Sequence, residues 1–276
     1  MISTQARSDE THPLILFGRT TLGEVKVQLS DEQWNWLQTQ KTIRVGLSIP
    51  DYPPFDMTMN GSSDFYEGMS ADYLQILSEV LKVKIELHLF NSRQNAIAAV
   101  KAGELDLLTT SNRYEEFHEL QLSHAYIDDV PVLYVSEKLS ATEAPTRIAM
   151  AYDYLPDAEV SKLFPDAELI SYPSRQQAVA AAVFGQADGV VIDFTSANYL
   201  VNKSFSKKLS LKNILPIDTK GIGFALNEEN QILIKIIDSV LKQIPESENW
   251  AIKKRWSGGG LTLPNETGRD STLLIS

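Results

Sequence analysis

The sequence contains no cysteine and only four histidines among its 276 residues. The absence of cysteine excludes disulfide bonds, cysteine-ligated zinc and cysteine nucleophiles. The histidines do not recur at the spacing that places two metal ligands on one helix face. Neither a phosphate-binding Walker loop nor a Gly-x-Ser-x-Gly nucleophile turn is present. We therefore expect no metal, no cofactor and no enzymatic activity.

Long apolar runs are also missing: none reaches the ~18 residues that a membrane-spanning helix needs. The N-terminal residues lack the basic and apolar regions of a signal peptide, which fits either a cytosolic protein or a mature or excised region. The net charge of −11 repels phosphate backbones and anionic lipids. We therefore expect no nucleic-acid partner.

The chain does contain enough apolar material for substantial cores. Hydrophobic residues make up 43% of it, including ten tyrosines, ten phenylalanines and four tryptophans. Strand-like and helix-like segments alternate, as in the apolar strand at 43–47 and the amphipathic helix that starts at Ser70. This alternation predicts an α/β fold with parallel sheets.

Two segments of the chain match each other without a gap. Residues 92–106 and 174–188 are identical at eight of fifteen positions, and both start with Ser-Arg-Gln. Each is typical of an Ala-rich helix that ends at a glycine and leads into a strand. The match favours two similar lobes, although coincidence within a single sheet would give the same pattern.

A pair of such lobes would suit a binding function. Parallel α/β sheets bind ligands at the carboxyl ends of their strands, so two facing lobes would place those ends on either side of one cleft. Closure about a hinge would enclose whatever lies between them. An enzyme on this scaffold would need an acid or base in the cleft, and the sequence offers only Asp193 without a partner.

Several short motifs distributed over residues 28–257 carry a family resemblance. They lie at 29–34, 43–46, 50–56, 66–74, 102–108, 185–188, 196–200 and 254–256. As a set they resemble the periplasmic Venus-flytrap domains of BvgS/EvgS-type sensor histidine kinases, within the wider family of amino-acid-type periplasmic solute-binding proteins.

The resemblance implies a two-lobed, periplasmic-binding-protein-like (Venus-flytrap) α/β fold with a hinge of two crossing strands, near 134–137 and 220–224. The implied divisions are 1–27 as an N-terminal extension, 28–137 plus 222–257 as the first lobe, 138–221 as the second lobe, and 258–276 as a flexible tail or linker.

The function implied by the resemblance is that of an extracytoplasmic ligand-binding domain of a two-component sensor kinase, located in the periplasm and signalling through open–closed lobe motion. Its implied partners are a small-molecule ligand (an amino acid or organic acid) or none, and an adjacent flytrap domain and transmembrane kinase in the full-length protein. A homodimer is a further option. The alternative is a free-standing solute-binding protein of an amino-acid-type ABC transporter.

The candidate ligand-binding residues are Tyr52, Phe55, Thr110, Arg113, Tyr154 and Asp193. Family members that bind amino acids use a first-lobe arginine for the carboxylate, a second-lobe threonine pair, and an aspartate for the ammonium group. Asp193 falls at the aspartate position, where it would equally serve as a helix N-cap. The arginine position holds Phe117 and the threonine positions hold Tyr154 and Leu155, so an ordinary α-amino acid is not the expected ligand.

The remaining candidates follow from their positions in the predicted fold. Tyr52 and Phe55 follow the first strand, where they would either wall the ligand or pack in the core. Tyr154 would form the opposite wall. Arg113 follows the strand end that contains Thr110, from which it would reach the cleft mouth or form a surface salt bridge.

Overall fold

The computed structural model describes residues 14–20, 27–140 and 142–258. The strands are β1 (Ile15–Leu16), β2 (Thr42–Ser48), β3 (Phe65–Tyr66), β4 (Lys84–Phe90), β5 (Leu107–Ser111), β6 (Gln121–Leu122), β7 (Pro131–Ser136), β8 (Arg147–Ala151), β9 (Glu168–Tyr172), β10 (Gly189–Asp193), β11 (Leu209–Ile214) and β12 (Gly223–Leu226). The helices are α1 (Asp31–Gln40), α2 (Met69–Leu81), α3 (Arg93–Lys101), α4 (Arg113–Phe117), α5 (Asp157–Leu163), α6 (Arg175–Phe184), α7 (Phe194–Ser204), α8 (Gln231–Gln243) and α9 (Glu246–Trp256). The predicted tail after Gly258 lies outside the described residues.

The larger sheets confirm the predicted two-lobed α/β fold. The first has the strand order β4-β2-β5-β12-β6, and the second has the order β11-β7-β10-β8-β9. Strand β2 is parallel to both of its neighbours, as is β8, whereas β12 and β7 are antiparallel to theirs. Each antiparallel strand is the one that enters its sheet from the other lobe. No helix in the described ranges is long and apolar enough to cross a lipid bilayer.

The first crossing between the lobes lies earlier in the chain than we predicted. We expected it near 134–137, after the apolar run that begins at Val130. That run forms β7, which belongs to the second sheet and hydrogen-bonds to β10 and β11. Every residue of β7 is buried, because the strand lies inside the sheet rather than in a hinge. The first crossing is therefore 123–130.

The second crossing, predicted at 220–224, spans 215–222 and overlaps the prediction. The two crossing segments pair where Ile222 N donates to Ile127 O at 2.8 Å and Ile127 N donates to Ile222 O at 3.3 Å. The N-terminal segment is also less separate than we predicted, since β1 pairs with β3 of the first lobe.

The first-lobe core forms where two amphipathic helices cover one sheet. Leu74 and Leu77 of α2 and Ile237 of α8 are fully buried with Phe224 of β12 in one cluster. Burying each such side chain contributes about 1.5–3 kcal/mol relative to exposure. These side chains therefore hold both helices against the sheet.

The second-lobe core depends on close helix–sheet approach. Ala178, Ala181 and Ala182 of α6 are 1% exposed or less and pack among strands β7, β8 and β10. Small side chains permit this approach. The matching helix α3 packs on the first sheet in the same way. The sequence repeat thus corresponds to one helix in each lobe.

Helix α2 begins directly beneath the loop that follows β2. Met69 N donates to Pro54 O at 2.9 Å, and Ser70 N donates to Phe55 O at 3.2 Å. Gly68 precedes the helix with φ 129°, and a β-carbon there would lie 2.1 Å from Phe55 O. Only glycine allows this close approach.

One turn into α2, the buried carboxylate of Asp72 joins three separate segments. Its Oδ1 accepts a hydrogen bond from Arg19 N at 2.7 Å, and its Oδ2 accepts bonds from Arg255 Nη1 at 2.6 Å and Trp256 Nε1 at 2.8 Å. Asp72 is 0% exposed. The end of α9 is therefore fixed to the helix that starts at the cleft.

Candidate functional site

A tight turn after β2 directs Tyr52 toward the second lobe. Tyr52 N donates to Asp56 O at 3.0 Å, and the amides of Phe55 and Asp56 both donate to Tyr52 O at 2.8 Å. Pro53 and Pro54 fix two φ angles within this turn and remove two backbone donors. The local sequence therefore holds the base of the tyrosine side chain rigidly.

The Tyr52 side chain crosses the gap between the lobes. Its hydroxyl donates to Asp193 Oδ2 at 2.9 Å, and the guanidinium carbon of Arg175 lies 3.3 Å from the centre of its ring. Tyr52 is 7% exposed, Arg175 is 3% and Asp193 is 1%. Burial is the main cause that raises the pKa of the Tyr52 phenol. The tyrosine therefore stays a hydrogen-bond donor at neutral pH.

Asp193 combines the two roles considered from the sequence. It ends β10, and its Oδ1 accepts a hydrogen bond from Ser196 N at 2.7 Å as the N-cap of α7. Its Oδ2 faces the other lobe. Ser196 adds a second bond between the lobes, because its hydroxyl donates to Pro53 O at 2.8 Å. Burial raises the pKa of Asp193, although Arg175 and these donors act in the opposite direction.

Arg175 is a site residue that the sequence prediction missed. It is the first residue of α6, and its side chain turns back so that Nη1 lies 2.6 Å from Asp153 Oδ1 and Nη2 donates to Asp153 O at 3.2 Å. Burial disfavours its charge, but Asp153 and the other nearby acidic groups outweigh burial and raise its pKa. The sequence feature that could have identified it is the Ser-Arg-Gln shared by the two matching segments.

Arg93 occupies the equivalent position in the first lobe. Its Nε donates to Glu115 Oε1 at 2.6 Å, and its Nη2 donates to Thr109 O at 2.6 Å and Ser111 Oγ at 3.0 Å. Arg93 is 4% exposed and Glu115 is 2%. Glu115 therefore lies inside the protein, paired with Arg93, rather than on a solvated helix face. Each lobe thus has a buried arginine at this helix start that pairs with a carboxylate: Arg93 with Glu115, and Arg175 with the partly exposed Asp153.

Tyr154 is fully buried and bonds to the first crossing segment. Its hydroxyl donates to Asp129 Oδ1 at 2.8 Å, and the Arg175 guanidinium lies 5.7 Å from its ring centre. Burial and then the charge of Asp193 raise the pKa of Asp129 to about 7. No described residue offers a hydrogen bond to Asp129 Oδ2. This carboxyl group thus lies in an unusually unfavourable environment for a charge.

Two further candidates lie on the first-lobe side. Phe55 is 0% exposed and belongs to the first-lobe core, with its ring 5.2 Å from that of Tyr52. Its position favours the core-packing interpretation. Thr110 is 2% exposed, its Oγ1 lies 2.7 Å from Ser70 Oγ, and its N donates to the Tyr126 hydroxyl at 3.2 Å.

Arg113 lies at the rim of the cleft. Its Nη1 is 3.1 Å from Glu116 Oε2, and its Nη2 is 2.8 Å from Glu159 Oε1 of the second lobe. The side chain is 34% exposed. Arg113 therefore forms a salt bridge near the surface, as one of the two sequence interpretations had it, and its bridge to Glu159 joins the two lobes.

A narrow pocket with a cavity volume of about 10 Å³, partly open to solvent, lies between the lobes. It is lined by Ser48, Pro50, Tyr52, Asp56, Arg93, Thr110, Glu115 and Asp153. Carboxylates outnumber guanidinium groups in this lining, so it suits neutral or cationic groups better than anions. Within the described ranges, no group of three or more metal-ligating side chains could hold a metal ion. Whether the six candidate residues bind a ligand stays a prediction.

Two α/β lobes joined by paired crossing segments, with buried charged residues meeting between them, define a hinged, two-lobed binding protein. Residues 43–259 match the bacterial extracellular solute-binding proteins, family 3. The chain belongs to this family.

The most informative relatives are bacterial sensor proteins. The chain is 32% identical over 261 residues to the virulence sensor protein BvgS of Bordetella bronchiseptica, which covers 92% of this chain and 21% of BvgS. It is 22% identical over 250 residues to the sensor protein EvgS of Escherichia coli K12, which covers 88% of this chain and 20% of EvgS. The crystal structure of the B. pertussis BvgS periplasmic domain matches with a TM-score of 0.78 at 31% identity, over 90% of this chain and 49% of that one. The predicted resemblance is confirmed, and the chain spans about a fifth of the length of these curated relatives.

Proposed function

We propose that this domain is the periplasmic sensory domain of a two-component sensor kinase and that it acts without catalysis. Its relatives BvgS and EvgS are sensor proteins, and its family is extracellular. The observation that carries the proposal is the buried hydrogen bond from Tyr52 to Asp193, which ties one lobe to the other with the chain's own side chains. Because this bond holds the two lobes together, making or breaking it would change the lobe position, and an attached domain would detect that change.

The energies of the contacts between the lobes suit a switch. A hydrogen bond to a charged group contributes about 1.5–3 kcal/mol, and a neutral one contributes about 0.5–1.5 kcal/mol. Tyr52–Asp193 is of the first kind and Ser196–Pro53 of the second. Moving a two-state equilibrium from 1:99 to 99:1 takes about 5.5 kcal/mol. A ligand or neighbouring domain that acts on these few contacts would therefore change the lobe position substantially.

The proposed partners follow from this role. A small molecule would act at the pocket between the lobes, and an adjacent flytrap domain and a transmembrane kinase would read the lobe position. A homodimer would place two such domains side by side. The proposal that the domain acts without catalysis is supported by the engagement of two site carboxylates: Asp193 accepts bonds from Ser196 and Tyr52, and Asp153 is paired with Arg175. Asp129 keeps one oxygen without a partner among the described residues.

The test is kinase activity in membranes that contain the full-length gene product. Tyr52→Phe removes the hydroxyl that reaches Asp193, and we expect it to change autophosphorylation several-fold. Tyr134→Phe is the matched control, because Tyr134 is a buried second-lobe tyrosine whose hydroxyl has no hydrogen-bond partner among the described residues. Equal activity of Tyr52→Phe, Tyr134→Phe and the unmodified protein, or a reading frame that encodes no kinase, would refute the proposal.

A further inference from the structure

The side chain of Tyr52 fits into the second lobe in the manner of a bound ligand. Among the described residues, the polar partners of its phenol group belong to that lobe: Asp193 accepts from the hydroxyl at 2.9 Å, and Arg175 covers the ring face at 3.3 Å. The tyrosine itself is anchored in the first lobe through the turn that ends at Asp56. We propose that the second lobe contains a binding site for small neutral phenols, and that Tyr52 is its tethered occupant.

The second lobe holds this site in place without help from Tyr52. Asp153 fixes the guanidinium of Arg175 through two contacts, at 2.6 and 3.2 Å. Ser196 N fixes the carboxylate of Asp193 at 2.7 Å. Preorganised groups of this kind lower the cost of binding, because little has to be ordered when the ligand enters. A free phenol that replaced the tyrosine ring would therefore meet the same groups in the same positions.

Unpartnered polar atoms provide a second observation at this site. Arg175 Nε is buried and makes no hydrogen bond to any described residue, and the same holds for Asp129 Oδ2. Buried donors and acceptors are almost always satisfied in native proteins, so unpaired ones need an explanation. A ligand with a further polar substituent would have a donor and an acceptor available here.

The chemistry of the site selects the ligand class. Asp193 is an acceptor, so the ligand must donate a hydrogen bond, as a phenol does. The Arg175 guanidinium favours an electron-rich aromatic ring face. Asp193 would repel an aromatic carboxylate, and Asp129 would do so above its pKa of about 7. The site is therefore suited to a neutral hydroxylated aromatic ring and unsuited to an aromatic acid.

Occupancy by Tyr52 also determines how such a ligand would act. A tethered group competes at an effective concentration on the order of millimolar. A free phenol would have to displace Tyr52, and the bond between the lobes would be lost as it bound. This consequence rests on the proposed sensory function, in which lobe position is the signal, whereas the binding itself does not.

Binding is tested on this chain with phenol as the probe. Tyr52→Ala removes the tethered ring, and calorimetric titration should give phenol a dissociation constant at least ~10-fold lower for this variant than for the unmodified chain. Benzene should bind the variant at least ~10-fold more weakly than phenol, because it lacks the hydroxyl. Tyr134→Ala, the matched control, should not acquire this preference for phenol.

Two results would overturn the inference: equal phenol affinity for Tyr52→Ala and the unmodified chain, or equal affinity of phenol and benzene for Tyr52→Ala. If Tyr52→Ala does not fold, Tyr52→Phe serves instead. It weakens the tethered occupant, and phenol should then bind at least ~3-fold more tightly than to the unmodified chain. Unchanged affinity in Tyr52→Phe would likewise overturn it. Because no kinase is involved, failure here is distinct from failure of the sensory proposal.

Discussion

Replacing Asp129 with asparagine should make the stability of the domain less dependent on pH. Asp129 lies on the first crossing segment, where its carbonyl accepts a 2.5 Å hydrogen bond from the Thr219 hydroxyl of the second crossing. Its carboxyl group accepts from the Tyr154 hydroxyl and is otherwise buried beside Asp193. Asparagine keeps an acceptor for Tyr154 and removes the ionisable group.

The magnitude follows from the pKa of Asp129, which burial raises from 3.8 to about 7. A folded-state pKa above the unfolded value means that the folded protein binds the proton more tightly. Stability from this group is then complete below about pH 4 and is lost as the pH rises toward 7. Each pKa unit corresponds to about 1.4 kcal/mol, so roughly three units give a loss on the order of 4 kcal/mol.

The assay is urea unfolding from pH 4 to pH 8. The unmodified chain should lose unfolding free energy across this range, and Asp129→Asn should lose markedly less. Asp188→Asn is the control, because the pKa of Asp188 is shifted in the opposite direction, downward. Hydrogen bonds from Arg147 and Thr146 lower the pKa of Asp188 to about 2 despite partial burial, so its stabilisation is present above about pH 4. That variant should be destabilised at neutral pH with an unchanged slope. Identical pH slopes for Asp129→Asn and the unmodified chain would refute the reasoning.

Three further substitutions test other contacts. Arg175→Met removes the buried guanidinium that pairs with the partly exposed Asp153 and should lower the unfolding free energy by about 1.5–3 kcal/mol in urea titrations; a loss below about 0.5 kcal/mol would contradict the stabilising role of this pair. Asp72→Ala removes the acceptor of Arg255 and Trp256 and should cost about 3 kcal/mol, with a matching fall in Tm by calorimetry. Arg113→Ala breaks the partly exposed bridge to Glu159 and should cost at most ~1 kcal/mol, an effect that 0.5 M salt removes.

Much of the fold was predictable from local sequence. Of the Ala-rich helices, α6 begins at the predicted residue and α3 begins one residue earlier than predicted; Ser174 and Ser92 at their N-caps each accept a hydrogen bond from the amide three residues on. Their match predicted two lobes. Strand β11 was not predicted, since buried and exposed residues do not alternate along it and its pairing register with β7 shifts between Leu211 and Asn213.

The site was less predictable, because its partners come from distant parts of the chain. Tyr52 and Asp193 were named as candidates, but their contact joins residues 141 positions apart. Arg175 was not named, since a charged residue at a helix start is usually exposed. Only tertiary packing places Asp153 beside Arg175, and this pairing offsets the cost of burying the arginine charge.

The position of Asp72 has a consequence for whatever follows Trp256 in the chain. The first two amides of helix α2 donate hydrogen bonds to carbonyls of the Tyr52 turn, and Asp72, three residues after Met69, binds the last turn of α9. A displacement of the Tyr52 turn would therefore be passed along helix α2 to the last turn of α9, and so to the chain that leaves the domain there.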